Sequence, residues 1–185
     1  MKELSLNILD IAMNSVKARA SVIGISITET DEWLEIVITD NGCGMKPEQV
    51  ARLRDPFFTS RTTRKVGLGV PFLVLAAEQT GGEVIIESRS ELDFPEDHGT
   101  KVSAVFMKSS IDFTPLGDII STLITLIQGN PFIDFEFSHI FPEGEVRLSL
   151  AELREFMGSD ISLAEPEILS WISENLKEQY EEKNK

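Results

Sequence analysis

The hydrophobic residues in the first 108 positions follow two different repeats. Apolar residues spaced three and four apart predict helices, whereas alternating apolar and polar residues predict strands. The predicted helices cover 4–19, 47–54 and 70–80, and the predicted strands cover 21–28, 33–39, 83–89 and 100–107. Ser5 is a candidate N-cap of the first helix, and Gly81-Gly82 is a stop signal for the third. Residues 55–69 have little periodicity and are predicted to form a long loop.

The pattern changes in the C-terminal part of the chain. Residues 109–115 are typical of a linker. The elements predicted beyond it are a helix over 116–128, strands over 132–138 and 145–148, and two final helices. Each final helix follows a Ser-x-x-Glu sequence, beginning at Ser149 and at Ser162, which is the spacing of a capping box. We therefore predict one domain over 1-108 and a smaller, acidic α+β appendage over 109-185.

The composition restricts the classes of partner. The chain has 17 Lys and Arg residues against 31 Asp and Glu residues, and its net charge of -14 argues against general nucleic-acid binding. No apolar run reaches membrane-spanning length, and the N-terminus lacks the pattern of a signal peptide. Because Cys43 is the single cysteine, no disulfide can form within the chain. We therefore expect a cytoplasmic protein that contacts neither nucleic acid nor membrane.

Positive charge is nevertheless concentrated in one segment. Between Lys46 and Lys65 the sequence has six basic residues and two acidic ones. Such an island in an acidic protein favours the binding of a small anion, although a solvated loop would show the same composition. Most of the negative charge lies in the C-terminal appendage. This charge favours a partner-docking or dimerisation role for the appendage. The alternative is that the appendage only covers the apolar edge of a sheet.

Four motifs at the ends of predicted elements carry candidate chemistry. Asp10, Asn14 and Lys17 share one face of the first helix. The other three motifs are DNGCGM at 40–45, DPFFTSRTTRKVGLG at 55–69 and HGT at 98–100. Each has an ordinary structural alternative, which is a solvated helix face, a turn, a surface loop or a strand start.

The residue types in these motifs suit a nucleotide. The amide oxygen of Asn14 is a hard ligand for a Mg²⁺ held by polyphosphate, and the acid one turn earlier, Asp10, can orient or deprotonate a nucleophile. Asp40 can accept a hydrogen bond from an exocyclic amino group such as that of adenine, and the glycines of DNGCGM let a base approach the backbone. Gly-x-Gly at 67–69, at a helix start, offers N–H groups to phosphate.

In this order the motifs resemble those of the GHKL ATP-binding superfamily, which includes histidine kinases, anti-sigma serine kinases, MutL, Hsp90 and type II topoisomerases. DIAMNSVKARAS resembles its N-box, DNGCGM its first glycine box, DPFFTSRTTRKVGLGV its phenylalanine box, lid and second glycine box, and HGT its third. The resemblance covers roughly 4–107 and is greatest to histidine kinases of the nitrogen-regulation type. It implies a two-layer α/β (α+β) sandwich, the Bergerat-type ATP-binding fold, with ATP between the helices and the lid.

The resemblance also implies roles for individual residues. Those near the phosphates and Mg²⁺ would be Asn14, Lys17, Gly67, Leu68 and Gly69, and those near the adenine Asp40, Gly42, Gly44, Met45 and Thr100. The positive charge of Arg61, Arg64 and Lys65, in the lid, predicts that they also reach the phosphates. Asn14 would be the ligand of Mg²⁺, and Asp40 would bind the adenine amino group. Asp10 falls where related serine kinases and ATPases have a longer glutamate, so its role as a general base is a weaker expectation.

The implied function is that of an ATP-binding, histidine-kinase-like protein. Because the N-box begins within a few residues of Met1, we expect a partner chain to supply the phosphoacceptor, which predicts a trans-acting protein kinase or signalling regulator. His98 lies in the third glycine box and His139 near a strand end, so both fit the acceptor poorly. The alternatives are a nucleotide-switched interaction module and a slow ATPase similar to MutL or Hsp90. A second copy of the chain, in a homodimer, is a further candidate partner.

Overall fold

The computed structural model describes residues 3–53, 69–158 and 162–183, which form six helices and six strands. The helices are α1 (Leu4–Lys17), α2 (Pro47–Leu53), α3 (Gly69–Gln79), α4 (Ile119–Gly129), α5 (Leu150–Met157) and α6 (Pro166–Lys183). The strands are β1 (Val22–Glu29), β2 (Trp33–Asp40), β3 (Glu83–Arg89), β4 (Gly99–Met107), β5 (Asp134–Phe141) and β6 (Gly144–Ser149). The elements predicted before the linker are all present, close to their predicted bounds.

All six strands belong to one sheet, in the order β3-β4-β2-β1-β5-β6. Neighbouring strands are antiparallel except β1 and β5, which run parallel with Val22 opposite Asp134. Helices α3, α1, α4 and α6 pack side by side in that order and form the second layer. This confirms the predicted two-layer α+β sandwich.

The core lies between the sheet and the helix layer. Strand residues alternate between the core and the opposite face, so that Ile23, Ile25 and Ile27 of β1 are at most 1% exposed. The same core continues under β5, where Phe135 and Phe137 are buried. The C-terminal segment therefore extends the sheet of the first part, and the boundary placed at residue 108 stays a prediction.

The start of α1 differs from the prediction. Ser5 is not the N-cap, because the helix already includes Leu4 and its cap position is Glu3, which makes no side-chain capping bond. The first amide groups are satisfied from far along the chain instead. Leu4 N and Ser5 N donate to the carbonyls of Pro115 and Leu116 at 2.9 and 2.8 Å. The last residue of the predicted linker and the residue after it thus cap α1 through their backbone carbonyls.

The two Ser-x-x-Glu sequences behave differently. Ser149 caps α5 as predicted, since its Oγ accepts a hydrogen bond from Glu152 N at 3.2 Å. The prediction for Ser162 was wrong, because α6 begins at Pro166 and residues 163–165 form a turn. A proline suits the first position of a helix, where its missing N–H is not needed, and it moves the helix start to itself.

A polar cluster lies in the core at the end of the sheet away from Asp40. His139 is 2% exposed, with Nε2 at 3.1 Å from Glu29 Oε1 and Nδ1 at 2.8 Å from the Tyr180 hydroxyl. Lys108 Nζ donates to the other Glu29 oxygen at 2.9 Å. Because a carboxylate only accepts hydrogen bonds, His139 donates one to Glu29 through Nε2. Its Nδ1 then accepts a hydrogen bond from the Tyr180 hydroxyl. Burial lowers the pKa of His139 and raises that of Tyr180, so both stay neutral.

Candidate functional site

A cavity of about 150 Å³ opens between α1, the end of β2 and the start of β4. Its lining is mostly apolar, with a few polar groups at defined places. The lining residues are Ile11, Asn14, Ser15, Ala18, Ile38, Asp40, Gly44, Met45, Leu53, Val70, Thr100 and Val102. A pocket with apolar walls and a small number of oriented polar groups is the usual form of a small-molecule site.

The polar centre of the cavity is the carboxylate of Asp40. The Ser15 hydroxyl donates to Asp40 Oδ2 at 2.5 Å, and the Gly42 amide donates to Oδ1 at 2.9 Å. Ser15 is only 4% exposed, so the wall of α1 holds this hydroxyl in place. The two donors fix the plane of the carboxylate while each oxygen retains a lone pair. The group can therefore accept a further hydrogen bond from a ligand inside the cavity.

The loop after Asp40 is tied to the neighbouring strand. Asn41 Oδ1 accepts from the amides of Ser21 and Val22, both at 2.9 Å. Gly42 lies where a Cβ atom would come within 2.8 Å of the Ala18 carbonyl oxygen, so the loop packs directly on the end of α1. These contacts position the backbone that holds the Asp40 carboxylate.

A second set of hydrogen bonds joins the start of β4 to the loop. Thr100 Oγ1 lies 2.9 Å from Ser88 Oγ. The Ser88 Oγ also accepts a hydrogen bond from Met45 N at 2.9 Å. Ser88 in turn donates to the Gly99 carbonyl at 2.9 Å. Thr100 and Met45 therefore sit on one wall of the cavity through a shared serine on β3.

The predicted residues on α1 do not all reach the cavity. Asn14 lines it, whereas Lys17 and Asp10 are exposed and lie outside its lining. Asp10 is beside the start of α3, where a Cβ atom on Gly69 would be 2.5 Å from Asp10 Cβ. Gly69 thus allows the close approach of α3 to α1, and Asp10 occupies the positive end of the α3 dipole.

Part of the prediction lies outside the described residues. The structure brings together Asn14, Asp40, Gly44, Met45 and Thr100 at one cavity, with Gly42 in the adjoining loop. The predicted residues that fall outside the described ranges are Arg61, Arg64, Lys65, Gly67 and Leu68. Their proposed contacts with phosphate stay predictions.

The sequence reasoning missed the residues that complete the walls. Ile11 and Ser15 precede and follow Asn14 on the cavity face of α1, and the apolar periodicity of the helix marked neither of them as a site residue. Ser88 was read only as a strand residue, because nothing local distinguishes it from its neighbours. The apolar lining from β2 and β4, Ile38 and Val102, lies in strands that the sequence predicts.

Within the described ranges, no group of three or more His, Cys, Asp and Glu side chains could hold a metal ion. No helix among the same residues is long and apolar enough to cross a membrane.

Known proteins of similar sequence are sensor kinases. The chain is 33% identical over 95 residues to a probable C4-dicarboxylate sensor kinase of Bacillus subtilis (strain 168), covering 51% of this chain and 17% of that protein. It is 32% identical over 93 residues to the histidine protein kinase DivJ of Caulobacter vibrioides, covering 48% of this chain and 15% of that protein. The chain thus spans about a sixth of the length of these relatives.

Known structures share the fold over a larger part of the chain. The MutL ATPase domain of Aquifex aeolicus, complexed with ADP, matches with a TM-score of 0.53 and 16% identity, over 85% of this chain and 68% of that one. The N-terminal domain of a DNA repair protein matches with a TM-score of 0.54 and 19% identity, over 80% of this chain and 53% of that one.

The family comparison agrees with the fold and with the order of the motifs. Residues 1–110 match the model of the histidine kinase-, DNA gyrase B- and HSP90-like ATPases. That range runs from α1 to the end of β4 and includes every described residue that lines the cavity. The chain therefore belongs to the histidine kinase-, DNA gyrase B- and HSP90-like ATPase family.

Proposed function

We propose that the chain binds ATP with Mg²⁺ in the cavity at Asp40. The observation that carries this proposal is the Asp40 carboxylate, which Ser15 and the Gly42 amide hold in one plane inside an apolar cavity. An adenine ring fits apolar walls, and its amino group donates a hydrogen bond that the carboxylate can accept. Guanine has a carbonyl at the same place, which the carboxylate would repel.

The phosphates would leave the cavity past Asn14. Its amide oxygen is a suitable Mg²⁺ ligand, with the remaining ligands coming from phosphate and water. Lys17 follows on the exposed side of the same helix and would approach the phosphates from solvent. Arg61, Lys65, Gly67 and Leu68 would complete the phosphate site, together with Gly69 at the start of α3.

We further propose that the bound ATP serves phosphoryl transfer to a protein partner. Family membership and the sensor-kinase relatives support a kinase-like role in signal transduction. Catalysis of this kind depends mainly on positioning and on neutralising charge, which Mg²⁺ and basic side chains supply. Asp10 would be the general base.

One observation favours the alternative of a nucleotide-controlled interaction module. Asp10 lies outside the cavity lining and beside Gly69, where its carboxylate stabilises the start of α3. If Asp10 has only this structural role, the described site binds a nucleotide without activating a nucleophile. ATP would then act by changing the conformation that a partner recognises.

Calorimetric titration of the full chain with Mg·ATP tests the proposed site. We expect wild-type binding in the micromolar range, and Asp40→Asn and Ser15→Ala to weaken it by at least about tenfold, the value of a hydrogen bond to a charged group. Asp31→Asn, a change of an exposed turn residue, is the matched control and should bind like wild type. Unchanged binding by Asp40→Asn, or no binding by wild type, would refute the site.

Radiolabelled ATP separates the proposed reactions. Transfer of the γ-phosphate to a partner would support the kinase, release of free phosphate would support an ATPase, and stable binding of intact ATP would support the interaction module. Asp10→Asn should abolish transfer with little change in ATP affinity if Asp10 is the base.

A further inference from the structure

His98 makes the contact that holds the other end of the Gly42 residue. Gly42 donates its N–H to Asp40 Oδ1 at 2.9 Å, and its carbonyl oxygen lies 2.6 Å from His98 Nδ1. The same residue is therefore fixed on both sides, by the carboxylate it orients and by the imidazole ring.

The chemistry of the pair determines the state of the ring. A carbonyl oxygen only accepts hydrogen bonds, so the proton must lie on His98 Nδ1. In the neutral ring Nε2 is then unprotonated. This Nδ1–H tautomer is the less common form of a free histidine in solution. The contact thus selects one tautomer.

His98 acts from outside the cavity. The ring is half-buried and is absent from the cavity lining; it borders a shallow groove beyond the Asp40 backbone instead. The next residue, Gly99, packs so closely on Asp40 that a Cβ atom there would lie 2.0 Å from the Asp40 carbonyl oxygen. The backbone that carries His98 is therefore packed directly against the backbone of Asp40.

We propose that His98 is a positioning residue for base recognition. It would fix the Gly42 peptide, which in turn aims the Asp40 carboxylate at the amino group of adenine. Without the ring, the Gly42 carbonyl loses its partner. In the part of the chain that the structure describes, the Gly42–Cys43 peptide then keeps only the bond from Cys43 N to the Ala18 carbonyl at 2.9 Å, so the Gly42 amide is held less firmly against the Asp40 carboxylate. This inference rests on the proposed ATP site and names a residue that controls its selectivity.

Affinities for Mg·ATP and Mg·GTP, measured side by side by calorimetry, test the role. His98→Ala should weaken ATP binding by up to about tenfold, because it removes one neutral hydrogen bond from the loop that orients Asp40, and should reduce the preference for ATP over GTP. His98→Asn should recover most of both, because the Asn side-chain amide can donate from nearly the position of Nδ1. Asp97→Asn is the matched control, since that exposed residue pairs with Arg89 and does not contact Gly42.

A second measurement reads the contact without nucleotide. Nitrogen-15 spectra of the free protein report which ring nitrogen carries the proton, and we expect Nδ1–H for His98. The Nε2–H tautomer would overturn the inference. So would wild-type affinity and base preference in His98→Ala, or failure of His98→Asn to differ from His98→Ala. Absence of ATP binding by the wild type would instead refute the proposed function, on which this role depends.

Discussion

Gly44 has a backbone conformation and a neighbour that both exclude a side chain. Its φ of 61° is in the left-handed region, and a Cβ atom would come within 1.8 Å of the Arg89 carbonyl oxygen. The loop that carries the cavity wall therefore passes directly against the end of β3. Glycine is the one residue type that fits both conditions.

We expect Gly44→Ala to lower the free energy of unfolding by at least about 2 kcal/mol, because the new methyl group forces the loop away from β3. Urea denaturation measures the change. Gly129→Ala is the matched control, since nothing lies within 4 Å of a Cβ atom at Gly129, at the end of α4. That variant should be neutral or up to about 1 kcal/mol more stable. Equal effects of the two substitutions would contradict this account of Gly44.

Motifs in the sequence predicted several of the individual residues that line the cavity. Asn14, Asp40 and Thr100 reach the cavity from three separate elements, as expected from their positions at element ends. Ser15 could not be identified, because its importance lies in a contact with Asp40, 25 positions further on. A serine inside a helix carries no local signal of such a partner.

The capping of α5 and α6 shows how a motif depends on its surroundings at the scale of an element. Ser149 both caps α5 and donates to Glu136 Oε1 on β5 at 2.8 Å. Ser162 Oγ accepts from Ala164 N at 3.3 Å, in the turn before α6. The first serine joins a helix to the sheet, whereas the second belongs to a turn.

Ser149→Ala should therefore lower the free energy of unfolding by about 1–2 kcal/mol, the usual cost of a lost N-cap. Ser162→Ala is the natural control because it removes the same atom from the same local sequence pattern. We expect that change to stay within about 0.5 kcal/mol, as for most surface substitutions. Chemical denaturation of the two variants in parallel decides the matter, and a larger loss for Ser162→Ala would show that the assignment of caps is wrong.

Apart from Pro166, no local feature of the sequence distinguishes the serine that caps a helix from the serine that lies in a turn. Periodicity and capping residues predict that helices exist, but their first residue depends on which donors the rest of the molecule satisfies. The first residue of α1 depends on distant groups in the same way, because its first amides donate to the carbonyls of Pro115 and Leu116 rather than to a local side chain.

At the scale of the whole molecule, the cluster around His139 joins the first part of the chain to the last. Glu29 comes from the end of β1, Lys108 from the end of β4 and Tyr180 from α6. Desolvation lowers the pKa of His139 below its ordinary value of 6.5, although Glu29 opposes that shift and Lys108 adds to it. The unfolded chain therefore binds this proton more readily than the folded one.

Stability should accordingly fall as the pH is lowered from 8 through 6.5 towards 5. The contribution of His139 is present above its unfolded pKa and is lost below it, with a slope of at most about 1.4 kcal/mol per pH unit. Asp118 does not interfere, because hydrogen bonds from Ser121 lower its pKa from 3.8 and its effect appears only in stronger acid. His139→Gln should flatten the dependence measured by urea denaturation between pH 5 and 8. An unchanged slope would exclude His139 as its source.

Parallel pairing of β1 with β5 could not be predicted from local patterns. The two strands are separated by the whole of β2, β3 and β4, and alternation shows only that each has a buried face. Local patterns therefore did not show that β5 and β6 continue the sheet formed by the first four strands. The two strands predicted in this segment are present and pair with each other as an antiparallel hairpin, but the pairing of β5 with β1 was not predicted.

This pairing has a consequence for biosynthesis. The ribosome adds about 5–20 residues per second, so Asp134 emerges roughly 6–22 s after its partner Val22. During that interval the nascent chain can complete the β3-β4-β2-β1 part of the sheet but leaves β1 as an open edge, whose free amide and carbonyl groups can recruit strands of other chains. Slow translation of the last third would lengthen the time for which the β1 edge is open. A chaperone that covers β1 would reduce its pairing with strands of other chains.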